Sequence, residues 1–77
     1  MFKKWKLKRA IEHSKKQITQ LEQRRTRSQA ALMEAILQHT SPDDRDVDFF
    51  NFYTTRIEEE RKTLHQLMDE LEQLEKH

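Results

Sequence analysis

The stretch HTSPDD, residues 39–44, decides the fold, because it ends one long helical sequence and begins another. Ser41 is a suitable N-cap, since its hydroxyl can accept a hydrogen bond from the first turn of the following helix. Pro42 then takes the first helical position, where an N–H would have no partner. Asp43 and Asp44 place carboxylates at the positive end of the helix dipole. The chain has no second Pro and no Gly, so we expect one bend between two helices.

Seam residues recur at alternating spacings of three and four on both sides of this stretch. Such a heptad pattern predicts two helices that pack through one apolar seam. We therefore predict an all-α, antiparallel two-helix hairpin that resembles a coiled coil, with helix 1 at about 2–39, the bend at 40–42 and helix 2 at about 43–76, in a single domain over 1–77. The seam residues are Leu7, Ile11, Ser14, Ile18, Leu21, Arg25, Ser28, Leu32, Ala35 and His39, then Asp46, Phe50, Tyr53, Ile57, Glu60, Leu64, Leu67, Leu71 and Leu74.

The position of the bend also predicts which residues face each other. If the chain folds back between Pro42 and Asp43, the numbers of facing residues add up to about 85, and the one Arg of the seam, Arg25, faces its one Glu, Glu60. A register one heptad away would set each charge against an apolar residue, which is unfavourable. We interpret this ion pair as a device that fixes the alignment of the helices. The same register pairs Glu22 with Arg61, Lys8 with Glu75, and His39 with Asp46.

The composition limits what a single hairpin can bury. Of the 77 residues, 34% are hydrophobic and 38% are charged, so the chain is poor in residues that form a core. A two-helix monomer of this size has marginal stability. We therefore expect self-association, most simply as a homodimer that forms a four-helix bundle.

Apolar residues outside the seam indicate where contacts form. Two stripes lie near the bend, one on each helix, and a pair of aromatic residues lies among lysines at the start of the chain. Clusters at helical spacing are more often packing interfaces than ligand pockets. The predicted contact residues for a dimer or a partner protein are Met33, Leu37, Phe49, Phe52, Phe2 and Trp5.

The charges are divided unequally between the two halves. Residues 1–39 carry ten Lys/Arg and three Glu, a balance of +7, whereas residues 40–77 carry five Lys/Arg and eleven acids, a balance of −6. This division favours attraction between the two helices, and it also offers a basic surface for nucleic acid or an anionic membrane. The candidate anion-binding side chains are Lys3, Lys4, Lys6, Lys8, Arg9, Lys15, Lys16, Arg24 and Arg27.

Other classes of function find little support. The chain has no Cys, no glycine-rich phosphate loop and no metal-binding motif on a helix, and a two-helix seam offers little concavity for catalysis. We therefore expect no catalytic, cofactor or metal site, and a cytoplasmic protein without a membrane span. The sequence predicts a non-enzymatic interaction module, an adaptor or regulator that binds itself and a partner protein. The alternative is an electrostatic binder of nucleic acid or membrane through helix 1.

Overall fold

Two long helices form a hairpin. The computed structural model describes residues 2–76, with only the backbone of Phe2. Helix α1 comprises Phe2–Leu37 and helix α2 comprises Asp44–Glu75. The two helices pack against each other along a body that measures 59 × 16 × 14 Å between Cα atoms. The predicted all-α hairpin is confirmed, although α1 ends two residues earlier than expected.

The core of the hairpin is the predicted seam. Leu7, Ile11, Ile18 and Leu21 of α1 are buried, and Ile57 of α2 has no exposed surface. These residues follow the 3,4 spacing, which keeps one stripe of each helix turned toward the other. Burial of this stripe, at roughly 25 cal/mol per Å² of apolar surface, is the main force that holds the helices together.

Two serines in the seam are also buried, and each hydroxyl has a hydrogen-bond partner. Ser14 Oγ donates to Glu60 Oε2 at 3.4 Å, across the two helices. Ser28 Oγ donates to the backbone carbonyl of Arg24 at 3.4 Å, within its own helix. Among the described residues, every buried side-chain nitrogen or oxygen has a partner. The polar seam positions therefore carry no unpaired group, which would be costly in an apolar setting.

The second half of α2 is less well covered than the facing half of α1. Leu64, Leu67, Leu71 and Leu74 occupy seam positions but are only half-buried. Part of the apolar surface of these four leucines therefore stays in contact with water. This uncovered surface is a structural reason to expect a further layer of packing.

Helix α1 ends in a Schellman motif built on a histidine. His39 has a φ of 56°, in the left-handed region that Gly usually occupies. Its N–H bonds to the carbonyl of Ile36 at 3.1 Å, and the N–H of Thr40 bonds to the carbonyl of Ala35 at 2.9 Å. His39 is exposed, and among the described residues no ion pair joins it to Asp46. The predicted seam pair is therefore not formed, because His39 belongs to the turn.

The substitution His39→Gly should stabilise the hairpin by about 0.5–1 kcal/mol. A left-handed conformation costs a residue with a Cβ roughly 1–2 kcal/mol, and the greater freedom of Gly in the unfolded chain offsets part of that gain. The melting temperature, followed by circular dichroism, should rise by about 2–8 °C. The matched control is His65→Gly, an exposed position inside α2, which should lower the melting temperature. Equal effects of the two substitutions would contradict this account of the turn.

The N-cap of helix α2 lies two residues later than predicted. Asp43, with φ −64° and ψ 134°, is the N-cap, and its carboxylate accepts a hydrogen bond from the N–H of Arg45 at 2.9 Å. Ser41 is therefore not the cap, and Pro42 precedes the cap instead of occupying the first helical turn. A charged carboxylate can both accept the hydrogen bond and interact with the helix dipole, whereas a serine hydroxyl supplies only the hydrogen bond.

The earlier end of α1 changes the alignment of the helices. The non-helical segment, 38–43, is centred two residues before the predicted fold-back point. Residues of α1 therefore meet lower-numbered residues of α2 than the predicted register requires. The predicted contact between Glu22 and Arg61 is present at 3.2 Å, but Glu75 lies 3.9 Å from Lys4 rather than pairing with Lys8.

Candidate interaction surfaces

An aromatic group lies on one side of the hairpin near the bend. Phe49 and Phe52 are 45% and 56% exposed. Both rings contact half-buried Tyr53, with centroids 6.2 Å and 5.5 Å apart, the first stacked and the second edge-to-face. We call Phe49, Phe52 and Tyr53 the aromatic patch. Contacts to a common neighbour hold the two outer rings in place, so they present a preorganised apolar surface.

An aliphatic group lies at the same end of the hairpin. Met33, Ile36, Leu37 and Val47 are 55%, 64%, 74% and 37% exposed. We call these four residues the aliphatic patch. Ile36 and Val47 occupy e positions of the heptad, next to the seam. Glu22 and Arg61, which form a salt bridge across the helices, also occupy e positions. In an antiparallel pair the e positions of both helices lie on the same side of the hairpin.

Heptad position places the two patches on opposite sides. Phe49 flanks the seam on the other side from Val47, and Phe52 lies next to Phe49 on the surface of α2. The predicted bend cluster therefore divides into two surfaces, with Met33 and Leu37 in one and the two phenylalanines in the other. Ile36 and Val47 were missed as candidate contact residues, although their heptad positions beside the seam were readable from the sequence.

The open end of the hairpin carries one exposed aromatic side chain within the described region. Trp5 is 55% exposed, and the guanidinium of Arg9 lies 4.9 Å from the centroid of its ring. This cation–π contact restrains both side chains on the outer surface of α1. The side chain of Phe2, the other predicted contact at this end, lies outside the described part of the structure.

A shallow groove runs between the helices near the same end. Its apolar floor includes Ile11 and Leu71, with half-exposed Met68 at its side. The charged rim contains lysines from α1 and acids from α2: Lys8, Lys15, Asp69, Glu72 and Glu75. The first turn of α1 has no acid and the last turn of α2 has no base, so each helix end carries charges that its own dipole disfavours. The hairpin places these two ends side by side, where their opposite charges attract each other.

The predicted ion pair in the seam is not formed. Arg25 is half-buried, and no salt bridge joins it to Glu60 among the described residues. Glu60 instead lies 3.5 Å from Arg56 Nη2, one turn earlier on its own helix, and accepts the hydrogen bond from Ser14. The shift of α2 relative to the predicted register explains the change, because it displaces Glu60 from the position opposite Arg25.

The nine candidate anion-binding side chains of α1 are all exposed. Two of them are in salt bridges, Lys4 with Glu75 at 3.9 Å and Lys15 with Glu12 at 3.5 Å. The other seven make no ion pair with the described residues: Lys3, Lys6, Lys8, Arg9, Lys16, Arg24 and Arg27. Most of the positive charge on α1 is therefore available to an external anion.

The described region shows neither a metal site nor a membrane-spanning helix. No group of three His, Asp or Glu side chains there is arranged to hold a metal ion. Neither helix contains a stretch that is long and apolar enough to cross a membrane, as judged over the same residues. Comparison with protein-family models, with curated proteins and with solved structures finds no match. The exposed surfaces described above are therefore the features that indicate a function for this chain.

Proposed function

We propose that this chain is a small, non-enzymatic helical interaction module that associates with a second copy of itself through the aromatic patch. The observation that carries the proposal is the exposure of Phe49 and Phe52, 45% and 56%, in a chain that buries few apolar residues. Aromatic side chains are enriched at protein interfaces, and a contiguous exposed apolar group marks a contact site.

The half-buried leucines of α2 support the same proposal. Two hairpins that pack side by side cover the open flank of each seam, as in a four-helix bundle. The aromatic patch lies beside the seam at the bend, so an interface centred on it can continue along α2. The aliphatic patch stays exposed on the opposite side, and we propose that it binds a partner protein as an adaptor or regulator would.

Sedimentation equilibrium of the full chain tests the self-association. The variant Phe49→Ser with Phe52→Ser should raise the dimer dissociation constant by at least about tenfold, since a loss of roughly 1.4 kcal/mol has that effect. The matched control is Met33→Ser with Ile36→Ser, which removes two exposed apolar side chains at the same end but on the other side. This control should change the constant by less than about threefold, a difference of roughly 0.7 kcal/mol.

Two results would contradict the proposal. A folded wild-type monomer at concentrations far above the micromolar range would exclude functional self-association. Equal weakening by the two double variants would mean that the aromatic patch has no special part in the interface. Circular dichroism of each variant establishes that its helices are intact, so that a change in mass reflects the interface.

A further inference from the structure

The outward side of α1 carries a continuous basic stripe. Its members recur at spacings of three and four and all are exposed: Lys6, Arg9, His13, Lys16, Gln20, Gln23 and Arg27. From Lys6 to Arg27 the stripe spans roughly 30 Å, at about 1.5 Å per residue. Its four cations make no ion pair with the described residues. Between the cations lie amide side chains, which can also donate hydrogen bonds to phosphate oxygens.

The fold separates this stripe from the acids of α2. Before Arg27, α1 has two acids, Glu12 and Glu22, and each is paired with a cation outside the stripe, Lys15 at 3.5 Å and Arg61 at 3.2 Å. The acids on the outer side of α2 lie across a body 16 Å wide. At physiological ionic strength the Debye length is about 8 Å, so the field of those acids is strongly screened at the stripe. The near-zero net charge of the chain therefore conceals a surface on which cations predominate.

We propose that the basic stripe binds the phosphate backbone of duplex nucleic acid without reading its sequence. The stripe is nearly as long as one duplex turn, about 34 Å, and its cations and amide donors suit the phosphate oxygens at the edge of a duplex groove. Single-strand binders stack bases on several aromatic side chains. The described outer side of α1 offers only Trp5, and Arg9 already lies over its ring.

A membrane surface fits the stripe less well. A helix that lies in the headgroup region must insert an apolar face into the lipid. The apolar face of α1 is used inside the hairpin, where Leu7 and Ile11 are each only 6% exposed. The inference does not depend on self-association, because every member of the stripe lies on the outer side of α1, whereas the aromatic patch lies on α2.

Fluorescence anisotropy with a labelled 30-base-pair DNA duplex of mixed sequence tests the proposal. Four phosphate contacts should reduce the association constant roughly 100-fold between 50 and 200 mM salt. The variant Lys16→Gln with Arg27→Gln should weaken binding at low salt by at least about fivefold and make the slope of log K against log salt shallower by about 1.8.

The matched control has the same substitutions on the other helix. Lys62→Gln with Arg45→Gln changes the net charge equally, and both residues are exposed and free of ion pairs with the described residues. This control should bind within about twofold of the wild type, because neither residue lies on the stripe. Equal weakening by both variants, absence of duplex binding, or preferential binding to single strands or to phosphatidylserine vesicles would each overturn the proposal.

Discussion

The substitution Ile57→Ala should lower the free energy of unfolding by about 2–5 kcal/mol, the range found for Ile truncation in well-packed cores. Ile57 has no exposed surface and is the one side chain of the described region that is buried completely. It lies in the central part of α2. A loss of this size approaches the whole stability of a small domain, so the variant should be largely unfolded at 37 °C.

Urea titration followed by circular dichroism measures this effect, at one protein concentration because association adds to apparent stability. Ile36→Ala is the matched control, since Ile36 is also a helical isoleucine but is 64% exposed. Its free energy of unfolding should change by no more than about 0.5 kcal/mol. Similar losses for the two variants would show that Ile57 is not the central packing residue of the seam.

The seam itself was predictable from the sequence. Leu7, Ile11, Ile18 and Leu21 are buried where the 3,4 spacing places them, because a helix has few ways to turn an apolar stripe away from water. The same spacing predicted that Phe49 and Phe52 lie outside the seam. Periodicity reports the direction in which each side chain points, and direction is the property on which burial and exposure depend.

The alignment along the helix axis was harder to predict. It depends on where α1 ends and α2 begins, and those points are set by local hydrogen bonds at His39 and Asp43. Three residues in the bend can cap a helix, Ser41, Asp43 and Asp44, and their intrinsic preferences are nearly equal. A fold-back point that is misplaced by two residues shifts the facing pairs by about 3 Å along each helix, enough to separate two charged groups.

This shift leads to a definite expectation for the two charged seam residues. Arg25→Leu and Glu60→Leu should each stabilise the hairpin by about 1–1.5 kcal/mol, because each adds apolar surface to the seam. Arg25 is half-buried without an ion pair among the described residues, and the side chain of Glu60 is 22% exposed. Loss of Glu60 leaves the Ser14 hydroxyl free to bond a carbonyl of its own helix, as Ser28 does.

A double-mutant cycle in urea distinguishes this expectation from a pair that fixes the register. Without a direct interaction the two effects should add within about 0.5 kcal/mol, giving a double variant about 2–3 kcal/mol more stable than the wild type. Arg24→Leu, next in the chain but exposed, is the control and should change stability by no more than about 0.5 kcal/mol. If Arg25 and Glu60 form a pair in solution, each single variant leaves a charge unpaired and is destabilised, and only the double variant recovers. Because the two alternatives predict opposite signs for the single variants, the cycle decides between the register of the structure and the register expected from the sequence.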